Sequence, residues 1–448
     1  MSSTDLPVDD LPPDPLESSD PLPSSRTKPK TDWYEFFRPM LRYVYNHNPF
    51  YPMSAVLVLL GLHHLFHDAE ASANLTDISF SNARLWAVLA GYATLLAAAS
   101  VWIVRYGRVW DDARTILLTL VLLLVAMSVN SDKPISRHDP SAPLFLLGGL
   151  GFVVLLTETT LRMSRIQLGW SLRQPMYAFF ALFFLYPIGL DYCLHTIGDI
   201  DNTRGFKATL FGVLLFPTAA AAITLTLLPA AISGPALARQ SGTPWTWPTY
   251  PWSLFVVLGV AVILRAFYLT ISFHPRSGTD SSFAPYFVTP FAIAVAMVLF
   301  ELGRSGGHRV TQHVACAFPL AWLPMSLTGE AACDPSGDFL CLHLDWIGSP
   351  LQVTVAGLLV FYAYAYFRNG PAWLTPATIA ITALASIVSP KTVDLNSFGS
   401  PNWMPLAVAS GMCFLAAYRQ PHASIRWFTG VSLGVMSLCL ALPTAMLA

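Results

Sequence analysis

Long apolar stretches separated by short polar connections fill the chain from Phe50 to Pro443. A bilayer hydrocarbon core of about 30 Å is crossed by about 20 apolar residues in a helix. Thirteen stretches approach that length, which predicts an all-α, polytopic transmembrane bundle of about 13 helices. Their predicted ranges are 50–66, 84–104, 115–129, 143–161, 176–196, 208–232, 252–273, 283–302, 312–328, 350–367, 371–389, 402–418 and 424–444. The ninth range is the least regular, because Pro319 and Pro324 interrupt it.

Basic residues in the connections predict how these helices are oriented, since Lys and Arg concentrate on the cytoplasmic side. With a cytoplasmic N-terminus and 13 crossings, only seven of the 25 Lys and Arg residues fall outside. These seven are Arg84, Lys133, Arg137, Arg204, Lys207, Arg276 and Lys391. All the others except Arg265 fall inside. We therefore expect a multi-pass protein of the plasma (inner) membrane, with the N-terminus cytoplasmic and the C-terminus outside.

Composition agrees with lipid as the solvent of this chain. Hydrophobic residues make up 54% and charged residues 11% of the 448 positions, and the mean hydropathy is +0.52. A soluble domain carries about 25% charged residues. The formal net charge of −1 argues against a nucleic-acid partner. No phosphate-binding loop of the kind that marks ATP-driven proteins occurs. The bilayer is therefore the expected partner.

The segments before the first apolar stretch predict two further regions. Residues 1–30 are rich in Pro, Asp and Ser and predict a disordered, acidic cytoplasmic tail. Residues 31–48 mix aromatic side chains with Arg38 and Arg42, which predicts an interfacial amphipathic segment. The bundle then occupies residues 49–448. Within it, the Pro- and Trp-rich loop 244–252 is either an interfacial anchor or a docking surface for a partner in a membrane complex.

Arg265 is the first candidate for chemistry, because it is a charge inside the seventh predicted helix. It lies about eight residues, or roughly 12 Å, from the outer end. A charge at that depth costs at least about 2–3 kcal/mol and normally faces the bundle interior with a partner. Asp191 in the fifth helix is within reach in depth. Arg265 is thus an anion or headgroup contact, part of a gate, or a structural ion pair.

The second candidate is an outward-facing polar site built from i, i+4 pairs. His63 and His67 share one helix face, and His64 and Asp68 share a neighbouring face. Asp191 and His195 repeat this spacing in the fifth helix. Such pairs can bind a metal, relay protons or simply lie half-solvated at the interface. The sequence assigns neither a catalytic residue nor a metal nor a cofactor to them.

Cysteine usage adds one possible crosslink. Cys333 and Cys341 share a single polar loop between Gly329 and Gly348. They can form a local disulfide if that loop faces an oxidising compartment. The other four cysteines lie in or beside apolar ranges and are typical of buried, hydrophobic side chains.

Near the predicted inner ends, local ion pairs are expected for Glu158 with Arg162 and for Glu301 with Arg304. Prolines inside the predicted helices break backbone hydrogen bonds, and such kinks tend to face other helices or a wet cavity. They are Pro187, Pro217, Pro290, Pro319 and Pro324. Because these prolines flank Arg265, that half of the bundle is the predicted pocket.

Three function classes follow from these residues. A transporter or carrier of a small solute or lipid headgroup uses Arg265 at its site and is slightly favoured. A membrane-embedded enzyme acting on a lipid-linked substrate at the outer leaflet uses the His and Asp pairs instead. A scaffold or accessory subunit of a membrane complex needs neither.

Overall fold

Helices cover nearly all of the residues that the structure, a computed structural model, describes. The described ranges are 75–130, 141–197, 215–234, 249–272, 288–323 and 350–371, with a few single residues nearby. All of them lie within one compact unit, His47–Ala448. No strand occurs in these ranges. The all-α class predicted from the apolar pattern is therefore confirmed for this part of the chain.

Nine helices are numbered here in chain order. They are α1 (Leu75–Trp102), α2 (Trp110–Asn130), α3 (Ala142–Met163), α4 (Trp170–Ile197), α5 (Leu215–Ser233), α6 (Thr249–Ser272), α7 (Thr289–Ser305), α8 (Arg309–Ala317) and α9 (Pro350–Phe367). A π-helical turn, Ile103–Gly107, continues α1. The last turns of α5 form a separate helical segment, Leu228–Ser233.

Six of these helices are long and apolar enough to cross a membrane, a property that rests on length and composition. The spans are Ala83–Gly107, Trp110–Asn130, Ala142–Met163, Trp170–Tyr192, Leu215–Ser233 and Pro251–Leu269. They correspond to the second through seventh predicted ranges. The eighth and tenth ranges correspond to α7 and α9. Ranges one and eleven to thirteen fall almost entirely outside the described residues, so the total of 13 stays a prediction.

Several predicted ranges differ from the helices that form. α1 begins at Leu75 and α4 at Trp170, nine and six residues before their predicted ranges. α2 begins at Trp110, five residues before the range predicted from hydropathy, and its first turn carries Asp111 and Asp112. Carboxylates are favourable at a helix N-terminus, where the helix dipole is positive. The ninth range is not one continuous helix in its described part. α8 ends at Ala317 and a 3-10 turn, Phe318–Ala321, follows, because Pro319 has no N–H to continue the helix.

The described helices form two adjoining hydrophobic cores that share α7. Helices α1 to α4 pack on one another, and α6 lies against α2 and α4. α7 contacts the last turns of α5, as well as α8 and α9. One face of α7 joins the core of α1 to α6 through Phe291 and Val298, and another joins the core of α8 and α9 through Phe300. Large apolar side chains such as Leu95 and Leu144 remain exposed, as lipid contact requires.

Glycine permits the closest of these helix contacts. A Cβ placed on Gly149 in α3 would overlap the ring of Trp86 in α1, and one on Gly357 in α9 would overlap Ile293 in α7. A Cβ placed on Gly148 would point into open space. Small residues permit close approach of membrane helices. In α3 only Gly149 of the three glycines has this role, because Gly148 and Gly151 face open space.

Contacts between helix ends gather nine arginines at one end of the bundle. Arg105 Nε donates to the Met163 carbonyl at 2.9 Å, which places the ends of α1 and α3 together. Glu301 near the end of α7 binds Arg368 at the end of α9. This Arg-rich end comprises Arg105, Arg108, Arg114, Arg162, Arg165, Arg173, Arg304, Arg309 and Arg368. The contact between Arg105 and Met163 shows that α1 and α3 end on the same side, and the full topology predicted from loop charge stays a prediction.

Candidate functional site

Arg265 lies seven residues before the end of α6, and its side chain is completely buried, at 0% exposure. Its Nη2 atom donates a hydrogen bond to the Phe183 carbonyl of α4 at 3.3 Å. In a regular helix that carbonyl accepts from the N–H of residue 187. Residue 187 is proline, which has no N–H to offer. The guanidinium therefore satisfies a carbonyl that Pro187 leaves without its helical donor.

Apolar side chains surround this contact. Phe183, Phe184 and Phe216 are all fully buried, and the rings of Phe183 and Phe216 lie 6.0 Å apart. On α6 itself, Val262 and Ala266 face the same interior. Water is thus excluded, and a fixed positive charge is far stronger there than at a surface. A guanidinium in this position can bind an anionic group beside Pro187 of α4, which continues as one helix from Trp170 to Ile197.

A second charged site lies at the Arg-rich end, around Glu301 of α7. This carboxylate is also 0% exposed. Arg368 of α9 donates to it through Nε at 2.6 Å and Nη2 at 3.0 Å, and Arg304 donates through Nε at 2.8 Å. The Tyr364 hydroxyl donates a further bond at 2.8 Å. The hydrogen bond to Glu301 raises the pKa of the Arg368 guanidinium, so this pair stays ionised.

Glu158 of α3 holds a network of the same composition, with its side chain 22% exposed. Tyr177 donates through its hydroxyl at 2.7 Å and Arg162 through Nε at 2.8 Å. Arg173 of α4 completes the set at 3.4 Å. This site is more open to solvent than that of Glu301. Its ion pairs are correspondingly screened.

The two networks share one plan. In each, a Glu near the end of one helix binds an Arg that follows it by three or four residues. The same Glu also binds an Arg and a Tyr at a second helix, and these two residues are four positions apart. The predicted local pairs Glu158–Arg162 and Glu301–Arg304 are confirmed. The partners from the second helix were missed. The i, i+4 spacing of Arg173 with Tyr177 and of Tyr364 with Arg368 is the signal that could have indicated them.

The predicted outward-facing polar site is described only at Asp191, which is half-buried in α4. Asp191 lies eight residues beyond Phe183, about 12 Å along the helix. His195 falls on α4, one turn further on, with its side chain outside the described residues. His63, His64, His67 and Asp68 lie outside them as well, and so do Cys333 and Cys341. The outer site and the disulfide therefore stay predictions.

Part of the loop 244–252 packs into the bundle. Trp245 is buried and makes an edge-to-face contact with Trp110 at 5.6 Å, while Trp252 is buried against Phe255. These indoles anchor the start of α6 at the Arg-rich end. The docking surface predicted for this loop would have to use its other residues.

Within the described residues, no group of three or more His, Cys, Asp or Glu side chains is placed to hold a metal ion. No protein-family model, curated protein or solved structure matches this chain. A function is therefore argued from Arg265 with the carbonyl released by Pro187, and from the two Glu-centred networks.

Proposed function

We propose that this protein is a multi-pass carrier of the plasma (inner) membrane, with about 13 helices and the Arg-rich end in the cytoplasm. Its cargo is a small anionic solute or the headgroup of an anionic lipid, and Arg265 is the anion contact. One observation carries this proposal. A completely buried guanidinium lies within a membrane-length helix and is bound to a carbonyl that Pro187 has released.

Physical precedent supports a carrier. An ionisable side chain inside a membrane helix is costly and usually marks a substrate or ion path. Carriers also tend to build their sites near the bilayer midplane from interrupted helices, whose released backbone groups contact the cargo. Arg265 supplies the first feature, and Pro187 supplies a released carbonyl within the otherwise continuous helix α4, which neighbours α6.

In the proposed cycle, Arg265 donates to the Phe183 carbonyl whenever no anion is bound. When an anion arrives, the guanidinium exchanges a neutral carbonyl for a negative oxygen, and charge-assisted hydrogen bonds are about twice as strong. Release restores the bond to Phe183 and again covers the charge. The networks of Glu158 and Glu301 tie helix ends on the cytoplasmic side, and their ionic contacts would separate when that side opens.

Transport by the purified full-length protein in proteoliposomes tests this proposal. The probes are labelled phosphate, succinate and lactate, with glycerol as the neutral comparison. Arg265→Gln keeps an amide donor for the Phe183 carbonyl and removes the charge, so folding is preserved while anion contact is lost. We expect its uptake of the transported anion to fall at least about 10-fold, as loss of one charged hydrogen bond implies.

Arg84→Gln is the matched control, because it removes a charge near the opposite end of α1. Its uptake should equal that of the wild type. Two results would contradict the proposal. One is that none of the three anions enters faster than glycerol, and the other is that Arg265→Gln transports as well as the wild type.

A further inference from the structure

Arginine occupies a left-handed backbone position where α3 ends. The Arg165 N–H bonds to the Arg162 carbonyl at 3.1 Å and the Ile166 N–H to the Leu161 carbonyl at 2.9 Å, which is a Schellman motif. Arg165 has φ 56°. Glycine is the usual residue there because it has no Cβ to clash. α7 ends in the same motif, and there Gly307 takes the left-handed position.

Arg108 repeats this choice after the π-turn that continues α1. It has φ 53° and ψ 23°. Both arginines are exposed, and neither side chain makes a hydrogen bond or ion pair within the described part of the chain. A left-handed conformation costs a non-glycine residue roughly 1 kcal/mol or more. Among the described residues these side chains make no contact that offsets this cost, which directs attention to a partner in their surroundings.

The two positions belong to one basic surface, because the Arg105 bond to the Met163 carbonyl brings the ends of α1 and α3 together. That bond uses Arg105 Nε and leaves its terminal nitrogens without a partner among the described residues. Arg162 is 75% exposed beside them. We name this surface the α1–α3 rim, defined by Arg105, Arg108, Arg162 and Arg165.

Acidic groups near the rim do not cancel its charge. Glu158 is already bound by Arg162, Arg173 and Tyr177. Asp111 and Asp112 lie in the first turn of α2, where they complement the positive end of that helix. Arg105, Arg108 and Arg165 therefore have no acidic partner among the described residues, and the rim attracts anions.

Exposed apolar side chains adjoin these charges. The rings of Trp102 and Tyr106 lie 4.5 Å apart and are 65% and 72% exposed. Met163, whose carbonyl binds Arg105, is also exposed. Aromatic side chains of this kind favour the headgroup level of a bilayer, where one side is apolar and the other wet. The rim thus offers both a phosphate-binding and an acyl-chain-binding surface.

We infer that the α1–α3 rim binds an anionic phospholipid of the leaflet at the Arg-rich end. The lipid phosphate is held by the free guanidinium nitrogens of Arg105 and by Arg108, Arg162 and Arg165. Its acyl chains lie along Trp102, Tyr106 and Met163. Basic pockets between membrane helices recognise lipid headgroups by these same interactions. The inference needs only the membrane placement of the bundle and is independent of what the protein transports.

Native mass spectrometry of the full-length protein in detergent tests this site, with phosphatidylglycerol and phosphatidylcholine as probes. Arg165→Gly is the decisive variant, because it removes the charge and relieves the left-handed conformation together. We expect its melting temperature to be equal to or above that of the wild type. Its apparent affinity for phosphatidylglycerol should fall about five-fold, as should that of Arg105→Gln, because one arginine near a lipid surface contributes about that factor.

Arg309→Gln is the matched control, since it removes an exposed arginine from α8 at the same end of the bundle. It should bind phosphatidylglycerol as the wild type does, and soluble glycerol phosphate should not displace the lipid. Equal binding of the two lipids would overturn the inference. So would an equal loss in Arg309→Gln and Arg165→Gly, displacement by glycerol phosphate, or a lower melting temperature for Arg165→Gly.

Discussion

The buried guanidinium of Arg265 donates to the carbonyl of Phe183, one turn before Pro187. Two features that are unfavourable alone thus satisfy each other inside the bundle. Proline leaves a carbonyl without its helical donor, and arginine brings donors that have no water to bind. The same guanidinium is the proposed anion contact. A variant that keeps a donor for the Phe183 carbonyl but removes the charge therefore separates the structural role of Arg265 from its proposed functional role.

The first prediction concerns this pairing. Arg265→Met leaves the Phe183 carbonyl unsatisfied and should lower the free energy of unfolding by about 1–3 kcal/mol. In a Pro187→Ala background the alanine N–H restores the helical bond, so Arg265→Met should cost clearly less. Unfolding midpoints in SDS titrations of the four proteins give the coupling energy. Strictly additive losses of unfolding free energy would show that Arg265 does not compensate for the carbonyl released by Pro187.

A second prediction compares the two Glu-centred networks. Glu301→Gln leaves Arg304 and Arg368 close together without the carboxylate, at a fully buried site. Breaking such a pair typically costs about 3–5 kcal/mol. Glu158→Gln acts at a site open to solvent and should cost about 1 kcal/mol or less. Thermal unfolding in detergent checks this order, and a larger loss for Glu158→Gln would contradict it.

A third prediction uses adjacent glycines in α3. An alanine methyl at Gly149 would overlap the Trp86 ring, whereas one at Gly148 meets open space. Overpacking of this kind costs about 1–3 kcal/mol. Gly149→Ala should therefore lower the melting temperature, and Gly148→Ala should leave it unchanged or slightly higher. Equal behaviour of the two variants would mean that α1 and α3 do not approach through Gly149.

The fourth prediction tests the loop between Gly329 and Gly348. If this loop faces an oxidising compartment, Cys333 and Cys341 form a disulfide. Peptide mapping without reductant should then recover the two cysteines in one crosslinked peptide. Full alkylation of both thiols in protein taken directly from cells would contradict the expectation.

Local patterns in the sequence predicted much of the described fold. Apolar length located α2, α3 and α9, and i, i+4 or i, i+3 spacing found the Glu158–Arg162 and Glu301–Arg304 pairs. These features depend on residues within one helix. Hydropathy missed the first turn of α2, because Asp111 and Asp112 are stabilised there by the helix dipole and not by lipid.

Contacts between helices could not be predicted from this sequence alone. The spacing of Tyr364 and Arg368 does not indicate that Glu301 lies opposite them, because it precedes them by 63 and 67 positions. The release of the Phe183 carbonyl can be deduced from Pro187, but its donor, 82 positions later, cannot. Such pairs are fixed by which helices pack together, and that choice depends on the whole bundle.

The most direct test of the central claim, that these helices cross a bilayer with the Arg-rich end in the cytoplasm, is cysteine accessibility. Single cysteines are introduced into a cysteine-free full-length protein as Arg165→Cys, Arg309→Cys, Arg84→Cys and Ser141→Cys. A membrane-impermeant maleimide should label positions 84 and 141 in intact cells, and 165 and 309 only after the membrane is opened. Labelling of 165 together with 141 in intact cells would contradict the claim.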